Sequence, residues 1–275
     1  MTVAEALREA TGRLSATSDT ARLDAELLMA FALGVSRSDM LIRHMSDSVP
    51  EGFERLIERR ERHEPIAYIF GEAEFFGRGF LVTPNVLIPR SDSESVIEAA
   101  LEVAPQQGRI LDLGTGSGAL LLTLLAERFE LQGIGIDASF DAIRVAAENA
   151  ARLGLADRAR ILKADWRDAG WADDLGTFDL VIANPPYVEE SAELDRDVRD
   201  FEPHAALFAG PEGLNDYRII IPALTKLLTQ TGVAILEIGR DQAQTVSEIA
   251  SKSGFSAEIR KDLGGRPRAL ILNRK

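Results

Sequence analysis

The sequence predicts an α/β fold in which a mostly parallel sheet is covered by helices on both faces and preceded by a small all-α unit. Three observations carry this. From about residue 92 onward, apolar runs of strand length alternate with helical stretches. Those runs are nearly continuous in apolar residues, as in Leu180-Val181-Ile182, the mark of strands buried on both faces. Before residue 65, apolar residues recur instead at the spacing of a helix.

Taken in order, Val3, Ala6, Leu7, Ala10 and Leu14 line one face of a first helix. A second follows Asp19, places Leu23, Leu27, Leu28 and Phe31 on one side, and stops at Gly34, a residue suited to a left-handed cap. Ser36 or Ser38 caps a short third helix through Met40 and Leu41. Ser48, with Pro50 in the first turn, opens a fourth that carries Phe53, Leu56 and Ile57 and ends before Pro65. Residues 1–64 therefore form a helical domain. Residues 65–90 switch period: Ile66–Phe70 and Phe80–Val82 are β-rich runs separated by Gly71, Gly77 and Gly79, which predicts a β-hairpin linker. Residues 91–275 form the sheet domain. Its strands are predicted at Arg109–Leu113, Gly133–Asp137, Arg160–Ala164, Phe178–Ala183 and Val233–Ile238, with helices between them. Two late strands near Ala257–Arg260 and Arg268–Leu272 have no helix between them and are expected to pair as an antiparallel hairpin, giving seven strands.

Composition excludes several chemistries. The 275 residues contain no cysteine, so no disulfide scaffold, thiolate metal site or cysteine nucleophile is possible. His44, His63 and His204 are far apart in sequence, and no metal site is expected. The formal net charge of −13, with acid in excess on both sides of residue 80, argues against an extended nucleic-acid groove, which needs a basic footprint. No apolar run approaches the ~20 residues that span a bilayer, and Met1–Glu5 lacks the basic-then-apolar pattern of a secretory signal. The expectation is a cytoplasmic protein, with no membrane partner.

The first chemical signal is Gly114-Thr115-Gly116-Ser117-Gly118, placed between the apolar run Ile110–Leu113 and a helix from Ala119. Glycines there let the backbone turn sharply and approach a ligand, and the helix start offers unpaired N–H groups. The following strand ends at Asp137, where a carboxylate can accept hydrogen bonds from ribose hydroxyls. Together they predict a bound nucleoside. Gly114, Gly116 and Ala119 also satisfy a dinucleotide fingerprint, so an NAD-dependent oxidoreductase remains open at this step.

The second signal is Asn184-Pro185-Pro186-Tyr187, at the carboxyl end of a buried strand. Two prolines stiffen the turn and donate no N–H. Ligands of open α/β sheets bind at this end of the strands. A planar NH₂ is a poor nucleophile because its lone pair is delocalised. If the Asn184 side-chain oxygen and the Pro185 carbonyl each accept one N–H, the nitrogen is held and aimed at an electrophile without a strong base. Tyr187 offers an aromatic wall for the planar target.

These motifs resemble class I S-adenosylmethionine-dependent methyltransferases acting on planar NH₂ groups. The resemblance extends to Ile88–Glu94, Asp165-Trp166, Phe201-Glu202-Pro203, Gly213–Arg218 and Asp262–Arg266, in order. With the helical domain it covers almost the whole chain and is similar to the protein-(glutamine-N5) methyltransferases of peptide-chain release factors, the PrmC/HemK family. Two departures are Ser91, where the family usually has proline, and Phe201, where it usually has tyrosine. The resemblance implies a Rossmann-like methyltransferase sheet and S-adenosylmethionine as donor, with S-adenosylhomocysteine as product. It implies that Gly114, Thr115, Gly116, Ser117 and Gly118 lie against the methionine portion of the donor, Asp137 holds the ribose, and Asp165 and Trp166 border the adenine. Asn184, Pro185, Pro186 and Tyr187 would hold the glutamine, with Asn184 and Pro185 orienting the reacting amide next to the donor. Arg90 would brace the mouth, unless Ser91 to Glu94 simply cap a helix. The implied partners are class 1 release factors, the implied role of residues 1–64 is substrate recognition, and a monomer is expected. An adenine-N6 methyltransferase of nucleic acid could use the same turn, but it must flip its base and track a phosphate backbone.

Overall fold

The computed structural model describes residues 1–262 and 264–275. Leu263, within the Asp262–Arg266 motif, lies outside the described residues. The chain begins with α1 (Val3–Leu14), α2 (Ala21–Leu33), α3 (Arg37–Arg43), α4 (Phe53–Glu61) and α5 (Ile66–Phe70). The hairpin strands β1 (Glu72–Phe75) and β2 (Arg78–Leu81) follow, then α6 (Glu94–Val103), β3 (Gln107–Leu113), α7 (Ala119–Glu127) and β4 (Glu130–Asp137). Next come α8 (Phe140–Arg152), β5 (Ala159–Lys163), β6 (Phe178–Ala183), α9 (Arg196–Phe201) and α10 (Asn215–Leu227). The chain closes with β7 (Leu228–Glu237), α11 (Ala243–Lys252), β8 (Phe255–Lys261) and β9 (Pro267–Arg274). It divides into two compact units: Met1–Glu72 with Leu194–Phe201, and Ala73–Glu193 with Glu202–Lys275.

The first unit is helical. Thr2 and Glu5 form a reciprocal capping box at the start of α1, and Ser36 caps α3. Val3, Leu7, Leu14, Leu28, Met29, Met40 and Ile57 make its core. Three expectations are corrected here. The inner face of α2 is Ala21, Ala25, Leu28 and Met29, whereas Leu23 and Phe31 are exposed, because helical spacing alone admitted two overlapping stripes. α4 starts at Phe53, and Ser48 instead bridges to Thr2. Ile66–Phe70 is a helical turn rather than a strand. The Pro65 carbonyl accepts from both Tyr68 and Ile69 N–H at 3.0 Å, and Gly71 closes the turn with φ 73°. A five-residue apolar run carries no period long enough to separate helix from strand.

Inside the first unit, Arg60 is almost fully buried and donates to Asp24 at 2.7 Å and to Asp197 at 3.0 Å. Asp24 also accepts from Ser18 and Thr20. This network fixes the segment Leu194–Phe201 to the helices, although its sequence neighbours on both sides belong to the other unit.

The second unit is built on a seven-stranded sheet in the order β5-β4-β3-β6-β7-β9-β8. All pairings up to β7 are parallel, and β9 pairs antiparallel with both β7 and β8. Alternation along each strand divides the core. Leu111, Leu113, Val181 and Ala183 pack towards α10 and α11, while Ile110, Leu180 and Ile182 pack towards α6 and α7. The β1–β2 hairpin turns through Phe76 and Gly77, both at positive φ, as a tight two-residue hairpin turn requires. One further correction concerns the interval between β5 and β6, which holds turns and no helix. Asp165, Asp168, Gly170, Asp173 and Gly176 break any helical pattern there. The sheet order reverses between β3 and β6, the crevice where open α/β sheets take ligands. Among the described residues, no helix is long and apolar enough to cross a membrane.

Candidate active site

At that crevice lies a cavity of about 290 Å³. The glycine loop forms its floor. Gly114, Gly116 and Gly118 all have positive φ, between 54° and 83°, a region that residues with a Cβ rarely adopt. At Gly114 a Cβ would stand 3.0 Å from the Trp166 ring. The loop is tied down at several points. Gly114 and Thr115 N–H both donate to the Ile136 carbonyl at 2.9 Å, and Gly118 N–H donates to the Thr115 carbonyl at 2.7 Å. Asn149, fully buried, donates to the Ser117 carbonyl and pairs with the backbone of Leu81.

Two carboxylates flank this loop. Asp137, at the end of β4, accepts from Gly116 N–H at 2.9 Å and from Ser139 N–H at 2.8 Å. Burial raises its pKa, and those N–H groups oppose the rise. Asp112, in β3, is buried and accepts from the Thr115 hydroxyl at 2.6 Å through one oxygen. Its other oxygen has no hydrogen-bond partner among the described residues. Burial, more than the neighbouring Asp137 charge, pushes its pKa up to about 7.

The opposite wall is the turn after β6. Asn184 and Pro186 line the cavity, with Asn184 Nδ2 3.5 Å from the Ser93 hydroxyl. Tyr187 is not on the lining. Its ring packs into the core beside α10 and its hydroxyl donates to buried Glu237 at 3.2 Å. Burial raises its pKa first of all. Trp166 both lines the cavity and packs on the core, its indole N–H donating to buried Asp216 at 2.6 Å. Arg90 lines the mouth and is held by buried Glu202, which also accepts from Ile88 N–H. Glu94 does not cap its own helix start: it accepts from Phe76 N–H at 3.0 Å.

Of the residues singled out by sequence, Arg90, Gly114, Thr115, Gly116, Ser117, Asp137, Asp165, Trp166, Asn184 and Pro186 share this one cavity. Gly118, Pro185 and Tyr187 are not among the residues that line it. Sequence reasoning gave no role to Asp112, Ser93, Glu202, Asp216 or Glu237, although Ser93, Glu202 and Asp216 lie inside the motifs that carry the resemblance. Asp112 had a visible signal, an acid inside an otherwise apolar strand.

The arrangement has close relatives. The PrmC N-terminal domain matches residues 5–71 and a methyltransferase domain matches residues 105–260. A release factor glutamine methyltransferase of Nitratidesulfovibrio vulgaris is 38% identical, covering 98% of this chain and 94% of its own. One of Cereibacter sphaeroides is 40% identical, covering 98% and 97%. Among solved structures, a methyltransferase from Pyrococcus furiosus shares the fold at a TM-score of 0.54 with 17% identity, over 72% of this chain and 89% of that one. Similarity at this identity along nearly the full length of both chains, in both units, means that the protein belongs to the release factor glutamine methyltransferase family.

Proposed function

We propose that the protein transfers the methyl group of S-adenosylmethionine to the side-chain amide nitrogen of the glutamine in the Gly-Gly-Gln loop of class 1 peptide-chain release factors. The observation that carries this reading is the sharing of one cavity by the glycine loop, Asp112, Asp137 and Asn184. The residues suit the donor. Asp137 keeps acceptor capacity for ribose hydroxyls, Trp166 offers a ring edge for the adenine, and the orphan oxygen of Asp112 matches a cationic amino group. Bound there, the donor supplies an electrophilic methyl on a positively charged sulfur.

The chain's task is then orientation. Asn184 Oδ1 and the Pro185 carbonyl accept the two N–H groups of the glutamine amide, which stops its rotation and directs the nitrogen lone pair at the methyl. Pro185 and Pro186 keep that turn rigid. Positioning of this kind can supply several kcal/mol of barrier reduction without a general base. The helical unit is assigned to recognition of the release factor body, since every residue lining the cavity lies outside it.

An adenine-N6 methyltransferase would use the same turn. The net charge of −13 and the curated relatives named for release factor glutamine favour the amide. The test is mass spectrometry of a class 1 release factor incubated with enzyme and donor. One methyl is expected on the loop glutamine and none after that glutamine is replaced. Asn184→Ala should lower kcat about 100-fold or more while leaving donor affinity nearly unchanged. Methylation of adenine in a nucleic acid, with none on the release factor, would reverse the reading.

A further inference from the structure

We propose that Gln242 is a positioning residue that fixes the far end of the Asn184–Tyr187 turn and so sets where the substrate amide is held. This rests on the reading that Asn184 and Pro185 accept the two N–H groups of the glutamine. The near end of the turn is fixed by the sheet, because Ala183 pairs with Leu113 of β3 and with Leu236 of β7. The prolines set φ at two positions, but they leave ψ free and donate no hydrogen bond that could tie the turn down. A turn held at one end only can swing. Its far end needs an anchor from elsewhere in the chain.

Gln242 supplies that anchor. It lies between β7 and α11, and its side-chain amide joins three segments of chain. Its Oε1 accepts from Gly239 N–H at 3.0 Å. Its Nε2 donates to the Tyr187 carbonyl at 3.0 Å and to the Gly213 carbonyl at 3.2 Å. These partners dictate which way round the amide sits, since a backbone N–H only donates and a carbonyl only accepts. Reversing it would break all three bonds. Two glycines make room for the side chain. A Cβ on Gly239 would stand 2.9 Å from Gln242 Oε1. One on Gly213, where φ is +65°, would stand 2.9 Å from Gln242 Nε2 and collide with the Tyr187 carbonyl.

The anchored groups lead directly to the site. Tyr187 is three residues after Asn184. The next residue, Val188, donates to the Leu207 carbonyl at 2.8 Å, and its own carbonyl accepts from Ala209 N–H at 2.9 Å. Gln242 thus ties the turn to Gly213, on the same stretch of chain as Leu207 and Ala209, and ties both to the loop after β7 through Gly239. The Tyr187 hydroxyl, donating to Glu237 at 3.2 Å, meets the end of that strand as well. Gln242 itself does not line the cavity. Its effect on the reaction passes through the turn, and donor binding should be indifferent to it. Misplacing a reacting group by about 1 Å can cost on the order of 100-fold in rate, and freeing one end of a short turn allows a fraction of that.

The test compares two replacements in the intact chain, assayed on a class 1 release factor at pH 8. Gln242→Glu keeps an oxygen for Gly239 N–H and turns a second acceptor on the Tyr187 and Gly213 carbonyls. Gln242→Met keeps the length of the side chain and removes all three bonds, and it carries the test if the charged variant fails to fold. For each, kcat per S-adenosylhomocysteine-binding site should fall about tenfold or more, with KM and S-adenosylhomocysteine affinity changed less than about twofold. In an Asn184→Ala background, Gln242→Met should add less than about twofold, because the main group it positions is gone. A residue that only closed the loop at Gly239 would leave Gln242→Glu at wild-type kcat. That result would overturn the proposal, as would wild-type kcat in Gln242→Met, an equal loss of donor affinity, or full additivity with Asn184→Ala. If the wild-type enzyme itself leaves the loop glutamine unmodified, the functional reading fails and this inference falls with it, a result distinct from a methylating wild type with unaffected variants.

Discussion

Asp112 is the residue where stability and donor binding should move in opposite directions. Its carboxyl has a pKa pushed from 3.8 up to about 7 by burial. A raised carboxyl pKa means that folding favours the neutral acid. Its contribution to stability is full below about pH 3.8 and is lost as pH rises through about 7. The shift of about three units corresponds to at most ~4 kcal/mol at 1.36 kcal/mol per unit. Asp112→Asn imitates the neutral acid and keeps an oxygen for the Thr115 hydroxyl. Denaturant unfolding at pH 8 should show the variant more stable than wild type by up to ~4 kcal/mol, with the advantage vanishing towards pH 4. Donor binding should respond the other way. If the orphan oxygen of Asp112 receives a cationic amino group, it must be ionised. Calorimetric affinity for S-adenosylhomocysteine should then rise by up to about tenfold per unit as pH climbs to 7, and level off above. Asp112→Asn should bind more weakly at pH 8 and show a shallower slope, the remainder belonging to Asp137, whose pKa burial also raises. Parallel binding profiles for the two proteins would refute the assignment of Asp112 to the donor.

Further outcomes follow from the same geometry. Asp137→Ala removes the ribose acceptor and the anchor of Gly116 and Ser139 N–H; donor affinity should drop by about 1.5–3 kcal/mol, read by calorimetry. Gly114→Ala places a Cβ 3.0 Å from Trp166 at a φ of +73°, which should cost about 1–3 kcal/mol of stability and weaken donor binding. Arg60→Ala leaves buried Asp24 without its cation and should destabilise the helical unit by about 3–5 kcal/mol in denaturant unfolding.

The parts of the site that were legible in the sequence are those whose chemistry is local. A glycine loop between a strand and a helix, or two prolines after an asparagine, constrain the backbone within a few residues, and that constraint is written in the residues themselves. Ser93 and Glu237 are different. Ser93 reaches Asn184 across 91 positions, and Glu237 reaches Tyr187 across 50. Both contacts are tertiary; for Glu237 the order of strands in the sheet makes it, placing the ends of β6 and β7 side by side. The same holds for Asp216, whose acceptor role depends on Trp166, 50 positions earlier. In the fold, the long periodic stretch of α1 and the Ser36-capped α3 were readable, while the face of α2 and the apolar run Ile66–Phe70 were not. Ile66–Phe70 is one helical turn set by Pro65 before it and Gly71 after it, a context that outweighs the β preference of its residues.

The charges of the cavity carry one more step. Two arginines line it, Arg90 and Arg167, and each is matched by a buried carboxylate behind the lining, Glu202 and Asp216. Three carboxylates line it, Asp112, Asp137 and Asp165, and none of them has an ion-pair partner among the described residues. The unbalanced charge of the lining is therefore negative, in a site where burial already raises the pKa of Asp112 and Asp137. Such a field favours a cationic ligand and a neutral acceptor, and it repels phosphate. The sulfonium donor meets the first condition for either acceptor; a carboxamide meets the second without bringing the phosphate backbone that an adenine in nucleic acid carries and that this field repels. The stability lost by burying Asp112 and Asp137 without a cation is recovered when the cationic donor binds, so the donor should stabilise the fold.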